Sequence, residues 1–266
     1  MKRYLIPALV LAFAALAIPT SAQARVIEMG AGAQPAGASN CPNDPCVAAY
    51  QMTAYQGRSG NLKNPFVVPR PGYIVAFSVT LGELTDSQIE FFDGRFGADP
   101  QVQLALLRRS TRKGKLGNHR LMRQSEIYDV SDYLGSTPTF ALSKPLRVGK
   151  DFRVALTIPT WAPVLDTVDL AGTNWWRASR PKGECGKDDE LSPPSVQEEL
   201  KSIVDYRCTY FKSRLLYTAT YVPDPRPTTK AKSNEARRKA TRRAAAARAA
   251  RIARRIAAAN GGAVAP

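Results

Sequence analysis

The chain has 266 residues, with 38 lysines and arginines, 22 aspartates and glutamates, one histidine and four cysteines, and its formal charge is +16. An apolar share of 44 % is ordinary for a globular protein, which excludes a chain disordered throughout, a collagen-like repeat and a multi-span membrane protein. A single histidine, His119, also excludes a metal site built from two histidines.

The positive charge is concentrated near the C-terminus. Residues 25–224 have a net charge of only +3, whereas residues 225–266 hold 12 basic side chains and a single acidic one, Glu235. The high isoelectric point therefore belongs to a tail, and the body of the chain is nearly balanced in charge.

Residues 1–24 have the three-part pattern of a secretory signal peptide. Lys2 and Arg3 precede an apolar run over residues 5–18, and Ala22-Gln23-Ala24 supplies the small residues typical of a cleavage site. The alternative is a retained membrane anchor, but this run is shorter than the ~20 residues that span a bilayer as a helix. We therefore expect cleavage after Ala24, no transmembrane span after signal removal, and a secreted or cell-surface-associated protein.

The four cysteines, Cys41, Cys46, Cys185 and Cys208, all follow this signal. Four cysteines allow three disulfide connectivities, and sequence alone does not choose among them. Turn-forming residues between Cys41 and Cys46 make local closure plausible, which leaves Cys185 to pair with Cys208. A zinc site is disfavoured because neither pair has C-x-x-C spacing. Export to an oxidising compartment favours two structural disulfides.

The body of the chain is patterned as short strands. Residues 73–81 alternate, which predicts that Tyr73, Val75, Phe77, Val79 and Leu81 share one face. The same period of two occurs at 102–106, 152–158 and 215–221, and we predict further strands at 47–55, 88–92, 120–130, 139–142 and 205–211. This pattern is typical of an antiparallel β-sandwich or jelly roll. We predict an all-β fold with a single domain over residues 41–222.

Three further segments complete the predicted organisation. A short helix is predicted over residues 196–204, because Ser195 and Glu198 fit a capping box ahead of apolar residues. Residues 25–40, rich in Gly and Ala, are predicted to be a flexible lead-in. Residues 223–266 are predicted to be a stiff Pro-rich exit followed by the basic tail.

Five segments carry a resemblance to known proteins. They are Pro65-Phe-Val-Val-Pro69, Gly72-Tyr-Ile-Val-Ala-Phe-Ser-Val-Thr-Leu-Gly82, Thr157-Ile-Pro-Thr-Trp-Ala-Pro163, Trp176-Arg-Ala-Ser-Arg180 and Arg214-Leu-Leu-Tyr-Thr-Ala-Thr220. With these segments, residues 41–222 resemble a group of uncharacterised exported proteins of high-GC actinobacteria. The resemblance implies an extracellular β-sandwich, and it brings no activity and no functional residues with it.

The tryptophans are the first candidate binding residues. Trp161 lies in a Pro-rich stretch after the strand that ends at residue 158, whereas Trp175 and Trp176 are adjacent. Neighbours on an extended chain point to opposite faces, so one of this pair is predicted to enter the core while the other faces out. An outward indole beside Arg177 or Arg180 can stack on a sugar ring. The alternative is core packing, because large aromatic side chains are mostly buried.

Catalytic arrangements are less well supported by the sequence. The carboxylates considered for glycoside hydrolysis or a calcium site are Glu90, Asp93, Asp99, Asp129 and Asp132, and no spacing among them singles out a pair. Such residues in turns usually cap backbone amides.

His119 is the only residue that could act as the base of a serine triad, but no G-x-S-x-G motif occurs. It is predicted to be a solvated residue of a basic hairpin loop. The cations of that loop form a possible anion patch, and a solvated turn is the alternative. They are Arg108, Arg109, Arg112, Lys113 and Lys115. No metal and no cofactor are predicted.

The tail is rich in alanine and arginine, which are among the best helix formers. Ser233 can cap a helix that runs to Ala259, although a solvated, disordered extension is an equal alternative. The predicted anion-binding residues are Arg237, Arg238, Lys239, Arg242, Arg243, Arg248, Arg251, Arg254 and Arg255. In an exported protein their partners would be an anionic cell-wall polymer, an anionic lipid surface or extracellular nucleic acid.

Three functions follow from these features. The leading hypothesis is a non-catalytic secreted or surface-associated β-sandwich whose tail makes electrostatic contact with anionic envelope polymers or lipids. The first alternative is a carbohydrate-binding jelly-roll module whose exposed Trp and Arg residues contact glycans. The second is a secreted hydrolase that uses paired carboxylates.

Overall fold

A computed structural model describes residues 25–32, 37–186, 192–225 and 229–260, with the side chains of 229–232 and 255–260 left out. The predicted signal peptide over residues 1–24 lies outside the described residues. The strands are β1 (Ile27–Met29), β2 (Ala49–Ser59), β3 (Leu62–Lys63), β4 (Gly72–Val79), β5 (Gln101–Arg109), β6 (Asn118–Asp129), β7 (Thr139–Val148), β8 (Phe152–Ala162), β9 (Leu165–Asp166), β10 (Trp175–Ala178), β11 (Ile203–Asp205), β12 (Cys208–Phe211), β13 (Arg214–Leu215) and β14 (Tyr217–Pro223). The helices are α1 (Asp86–Phe96), α2 (Thr229–Asn260) and a 3₁₀ turn (Ser131–Tyr133).

The strands form an antiparallel β-sandwich. One sheet has the order β1-β14-β4-β7, and the larger sheet has the order β11-β6-β5-β8-β2-β10-β12, with β3 paired to β2. The main core contains buried apolar residues of both sheets, such as Phe77 of β4 and Leu104 of β5, each 0 % exposed. Burial of these apolar side chains between two sheets is what holds a sandwich together. The predicted all-β antiparallel fold is confirmed.

A β-bulge changes the predicted face of β4. The register shifts between Ile74 and Ala76 where β4 pairs with β7. Ile74 is fully buried and Tyr73 is 42 % exposed, so the prediction that Tyr73 shares a face with Phe77 and Val79 is wrong. One extra residue in a strand inverts the alternation beyond it, which is the reason for the error.

The strand predicted at residues 88–92 does not form, and this segment lies within the helix α1. Thr85 caps the helix: its hydroxyl accepts from the backbone N–H of Gln88, whose side chain accepts from the backbone N–H of Thr85. Phe92 and Phe96 lie four residues apart on the buried side and pack against Trp161. The capping box and this spacing explain the helix.

The helix predicted over residues 196–204 does not form. Ser195 instead donates its backbone N–H to the Gln51 carbonyl at 2.8 Å, and Gln197 donates its own to the Thr53 hydroxyl at 3.1 Å. The segment ends in β11, which pairs with β6. Pairing with the sheet therefore replaces the predicted capping box. We call residues 192–207 the strap.

The predicted flexible lead-in over residues 25–40 is also wrong in part. Within it, Ile27–Met29 form β1, whose three residues pair with Ala219–Tyr221 of β14. Met29 is 5 % exposed and belongs to the main core. The predicted lead-in therefore supplies β1, an edge strand of the smaller sheet.

Both predicted disulfides are present. Cys41 is bonded to Cys46, and Cys185 is bonded to Cys208, with no free cysteine in the described part of the chain. Two disulfides indicate an oxidising, extracellular environment. Within the described ranges, no helix has the length and apolar character required to cross a bilayer.

The C-terminal segment is a helix, which is one of the two alternatives that the sequence left open. α2 begins at Thr229, four residues before the predicted cap at Ser233, and ends at Asn260. Every side chain described within it, over residues 233–254, is exposed.

Candidate functional site

The larger sheet has an outer face, opposite the main core, that the strap covers only in part. Tyr206 of the strap is fully buried there against Tyr55, Leu107, Leu121 and other residues of this face. The Tyr206 hydroxyl donates to the Gln197 amide oxygen at 2.7 Å, which anchors the strap internally. The part of the face beyond the strap is where the candidate site lies.

Three arginines reach this uncovered part from three strands. Arg109 of β5 lies opposite His119 of β6, and Arg153 of β8 lies opposite Leu107. Arg177 of β10 lies opposite Tyr55 of β2. Residues directly opposite each other in a sheet point to the same side, so the strand order brings the three cations to one face. The Arg153 guanidinium lies over the Tyr55 ring, 4.9 Å from its centroid.

Trp175 lies beside these arginines. A Cβ added at Gly57 would collide with the Trp175 ring, so the indole occupies the space that only glycine leaves open. The Arg177 guanidinium lies over the Trp175 ring, 5.7 Å from its centroid. We call the set of Arg109, Arg153, Arg177 and Trp175 the arginine face.

The cations of the arginine face have only neutral partners among the described residues. Arg153 donates to the Asn64 side-chain oxygen at 3.2 Å, and Arg109 donates to the Leu116 carbonyl at 2.9 Å. The Nε of Arg177 is buried and has no hydrogen-bond partner in the described part of the chain. The three ion pairs found within the described ranges involve other arginines. Among the described residues, the arginine face is therefore a concentration of positive charge whose arginines make no ion pair.

The three arginines of the arginine face affect each other's charge. Burial lowers the pKa of Arg153, and the nearby Arg109 and Arg177 lower it further. Each of these cations disfavours charge on its neighbours, so an anion placed among them would be stabilised by all three.

His119 lies at the edge of this cluster, and the prediction that it is a solvated loop residue is wrong. It is fully buried on β6, between the rings of Tyr55 and Tyr206. Burial lowers its pKa to about 3; the hydrogen bond to Gly117 opposes this shift, and the three arginines of the face add to it. His119 is therefore neutral near pH 7, and its Nδ1 lies 2.8 Å from the Gly117 carbonyl.

An open cleft of about 560 Å³ adjoins the arginine face and shares Arg109 and Arg153 with it. Further cations in its wall are Arg108 and Lys150, and Asp151 is the one carboxylate among the described lining residues. Neutral hydrogen-bonding groups are also present in the lining. They are contributed by Asn64, Ser110 and Thr111.

Of the predicted stacking residues, Trp175 and Arg177 reach the surface, whereas Trp161, Trp176 and Arg180 are at most 4 % exposed. Trp161 belongs to β8 instead of a loop, and its Nε1 donates to Asp93 of α1 at 2.9 Å. The opposite orientation of Trp175 and Trp176 is confirmed. For Trp161, Trp176 and Arg180 the alternative of core packing holds and sugar stacking does not, because packing under α1 and against β12 buries them.

Arg180 forms the polar floor of a separate apolar groove of about 420 Å³. Its guanidinium donates to the Tyr210 hydroxyl at 3.1 Å and to the Tyr50 carbonyl at 3.4 Å. Trp176 and Tyr210 stack in the groove wall with their ring centroids 4.1 Å apart. These contacts give Arg180 and Trp176 a packing role.

Two of the five predicted carboxylates make local structural contacts, and the other three are exposed. Asp93 accepts the Trp161 indole N–H, and Asp129 accepts from the backbone N–H and the hydroxyl of Ser131. Glu90, Asp99 and Asp132 are exposed. Within the described residues, no group of three or more His, Cys, Asp or Glu side chains is placed to hold a metal ion.

The predicted tail cations from Arg237 to Arg254 lie on α2 and are exposed, whereas the Arg255 side chain lies outside the described residues. Glu235 is the one acidic residue of α2.

Sequence reasoning missed Arg153, although its strand carried a signal. Phe152, Val154, Leu156 and Ile158 alternate toward the core, so residue 153 must face outward. Comparisons of the chain with protein-family models, with curated proteins and with solved structures found no match.

Proposed function

We propose that the chain is an exported, non-catalytic β-sandwich protein that uses its basic C-terminal helix to hold anionic polymers or anionic lipid surfaces of the cell envelope. The observation that carries the proposal is the complete exposure of the described α2 side chains over residues 233–254. A helix that buries none of these side chains does not use them for packing, and its cations are free to contact a partner. The two disulfides support export, because they persist in oxidising compartments.

The physical basis of such binding is the release of counterions. A polyanion that is neutralised by several lysines and arginines releases its condensed cations, and affinity then falls steeply with salt. Basic residues close to a membrane surface are attracted to anionic lipid headgroups in the same way. The affinity of such a contact depends on charge density and not on the order of the residues.

The test is the salt dependence of binding by the full mature chain to vesicles that contain phosphatidylglycerol. We expect binding at low salt and a loss of about 10³-fold in affinity between 50 and 200 mM salt if about six charges engage. A full-length variant with Arg→Gln at 237, 238, 242, 243, 248, 251 and 254 is expected to lose this binding. A control variant with the same tail composition in shuffled order is expected to retain it.

Two outcomes would overturn the proposal. Binding that is unchanged in the Arg→Gln tail variant would show that the body alone carries the contact. Binding that ignores salt would show that it is not electrostatic. Parallel measurements with a single-stranded oligonucleotide and with purified wall polymer then rank the anionic partners.

Glycan binding is a second candidate, and the position of Trp175 favours it. This tryptophan is half-buried on an open sheet face, beside a cation. Aromatic rings in such positions stack on sugar rings, and the neighbouring arginines would select acidic sugars. A glycan array that shows binding by the native chain and none by Trp175→Ala would support this candidate. Equal signals from both proteins would exclude Trp175 as the contact.

A further inference from the structure

We propose that the arginine face and its adjoining cleft form a binding site for linked phosphoryl groups. This site lies on the sandwich and goes beyond the tail-mediated contact, on which it does not depend.

The first argument is the missing counter-ion. Folded proteins pair buried charges, because leaving an ion unpaired in a low-dielectric site is costly. Among the described residues, the buried Nε of Arg177 has no partner, and the partly buried Arg153 and the exposed Arg109 donate only to neutral acceptors. The arginine face is therefore short of negative charge in the described structure, and an anionic ligand would supply it.

The second argument concerns the kind of anion. The cleft places Arg108 and Lys150 beside Arg109 and Arg153, and Asp151 is the single carboxylate of its described lining. Guanidinium groups present paired N–H donors that match phosphate oxygens, and an ammonium group contributes a further point charge. A ligand with one negative charge would leave most of these cations unmatched, whereas linked phosphoryl groups supply several charges in sequence.

The third argument is space. The cleft of about 560 Å³ is within the usual range of ligand sites and exceeds the volume of one oxyanion. Ser110 and Thr111 add hydroxyl donors to its wall. Trp175 belongs to the arginine face, where a base or sugar attached to the phosphates would lie against its ring.

The experiment is calorimetric titration of the full mature chain with tripolyphosphate at low salt. The tail Arg→Gln variant serves as the parent protein, so that α2 does not contribute. We expect saturable binding near one equivalent and a loss of at least about tenfold in affinity for Arg153→Gln/Arg177→Gln, since each bidentate charged contact is strong. The control is Arg95→Gln/Lys144→Gln, which removes the same amount of charge from exposed positions on α1 and β7. This control is expected to change the affinity less than twofold, because salt screens charges that lie far from the bound anion.

Should the first variant fail to fold, Arg108→Gln/Arg109→Gln tests the same site, because both side chains are exposed. Citrate, which carries three carboxylates, is expected to bind more weakly than tripolyphosphate. A single-stranded oligonucleotide then distinguishes a phosphodiester source from a phosphoanhydride source.

Absence of saturable tripolyphosphate binding would overturn the proposal, as would an equal loss in the control variant. Equal affinity for citrate would overturn the assignment to phosphoryl groups. All three results are independent of the vesicle experiment, so failure of the tail-mediated function and failure of this site are distinguishable.

Discussion

A neutral histidine, His119, lies at the edge of three cations, Arg109, Arg153 and Arg177. His119 is fully buried, its pKa is lowered to about 3, and its Nε2 has no hydrogen-bond partner among the described residues. A proton on Nε2 would add a fourth positive charge beside Arg109, Arg153 and Arg177. Burial and repulsion therefore both oppose protonation in the native state.

The consequence is a loss of stability in acid. Between pH 6.5 and about 3 the unfolded chain binds a proton at residue 119 that the folded chain does not. The free energy of unfolding is therefore expected to fall as the pH is lowered through this window, by up to about 1.4 kcal/mol per pH unit from this group alone. The measurement is urea unfolding of the native chain and of His119→Gln at pH 7, 5.5 and 4.5.

Carboxylates that titrate in both proteins contribute equally to both. The difference between the two slopes of unfolding free energy against pH therefore belongs to residue 119. We expect the variant to be less stable at pH 7 but to lose less stability in acid. Parallel slopes would contradict the burial of a neutral histidine at this position.

At the scale of single elements, a period of two predicted the strands better than it predicted their faces. The alternation over residues 152–158 and 215–221 marks β8 and β14, because one side of each strand packs against the main core. The bulge near Val75 is not visible in the pattern, since every residue around it suits a strand. The apolar cluster at 88–92 is too short for its period to separate strand from helix. The capping residues Thr85 and Gln88 carried the signal for α1.

The candidate site depends on the order of the strands more than on any local pattern. Arg109, Arg153 and Arg177 are far apart in sequence, and the order β5-β8-β2-β10 brings them to one face. Alternation alone places Arg153 outward and separates Trp175 from Trp176. It cannot show that the three cations are neighbours, because pairing of distant strands is fixed by the packing of the whole sandwich.

The strap is an element that ends beside a covalent link. Cys208 lies two residues after the buried Tyr206, and its bond to Cys185 closes a segment with a sequence separation of 23. Gln197 of the strap also donates to the His119 carbonyl at 3.2 Å. The disulfide therefore restrains the segment that covers Tyr55 and Leu121.

Removal of this link is expected to destabilise the protein. Cys185→Ala/Cys208→Ala should lower the free energy of unfolding by about 3 kcal/mol at 25 °C, because the unfolded chain regains the entropy of the open loop. Cys41→Ala/Cys46→Ala opens a loop with a separation of only 5 and should cost less. Denaturant unfolding of the two variants makes the comparison. A larger loss in the Cys41 variant would contradict this account of the strap.

At the scale of the whole molecule, positive charge is divided between two places of different character. The tail presents exposed cations along one helix, whereas the arginine face holds Arg153 and Arg177 partly buried, and Arg109 exposed, at fixed positions on a sheet. Exposed charges act over a Debye length, about 10 Å at 0.1 M salt, and are screened readily. Partly buried charges are screened less. Salt should therefore weaken binding to the tail more steeply than binding to the arginine face.

The division also predicts that the sandwich folds without the tail. The last strand of the smaller sheet ends at Pro223, and Asp224 then makes a two-pronged ion pair with Arg147, at 2.6 and 2.7 Å. Truncation after Asp224 keeps this pair and removes a helix whose described side chains are all exposed. The thermal midpoint at 150 mM salt is therefore expected to change by no more than about 2 °C, the range typical of surface changes. Differential scanning calorimetry of the native and truncated chains measures this change.

The matched control is Asp224→Asn in the full chain, which breaks the ion pair and leaves α2 in place. This variant should lower the thermal midpoint slightly. A drop of many degrees on truncation would mean that α2 stabilises the sandwich, and the tail would then be part of the fold as well as a contact for polyanions.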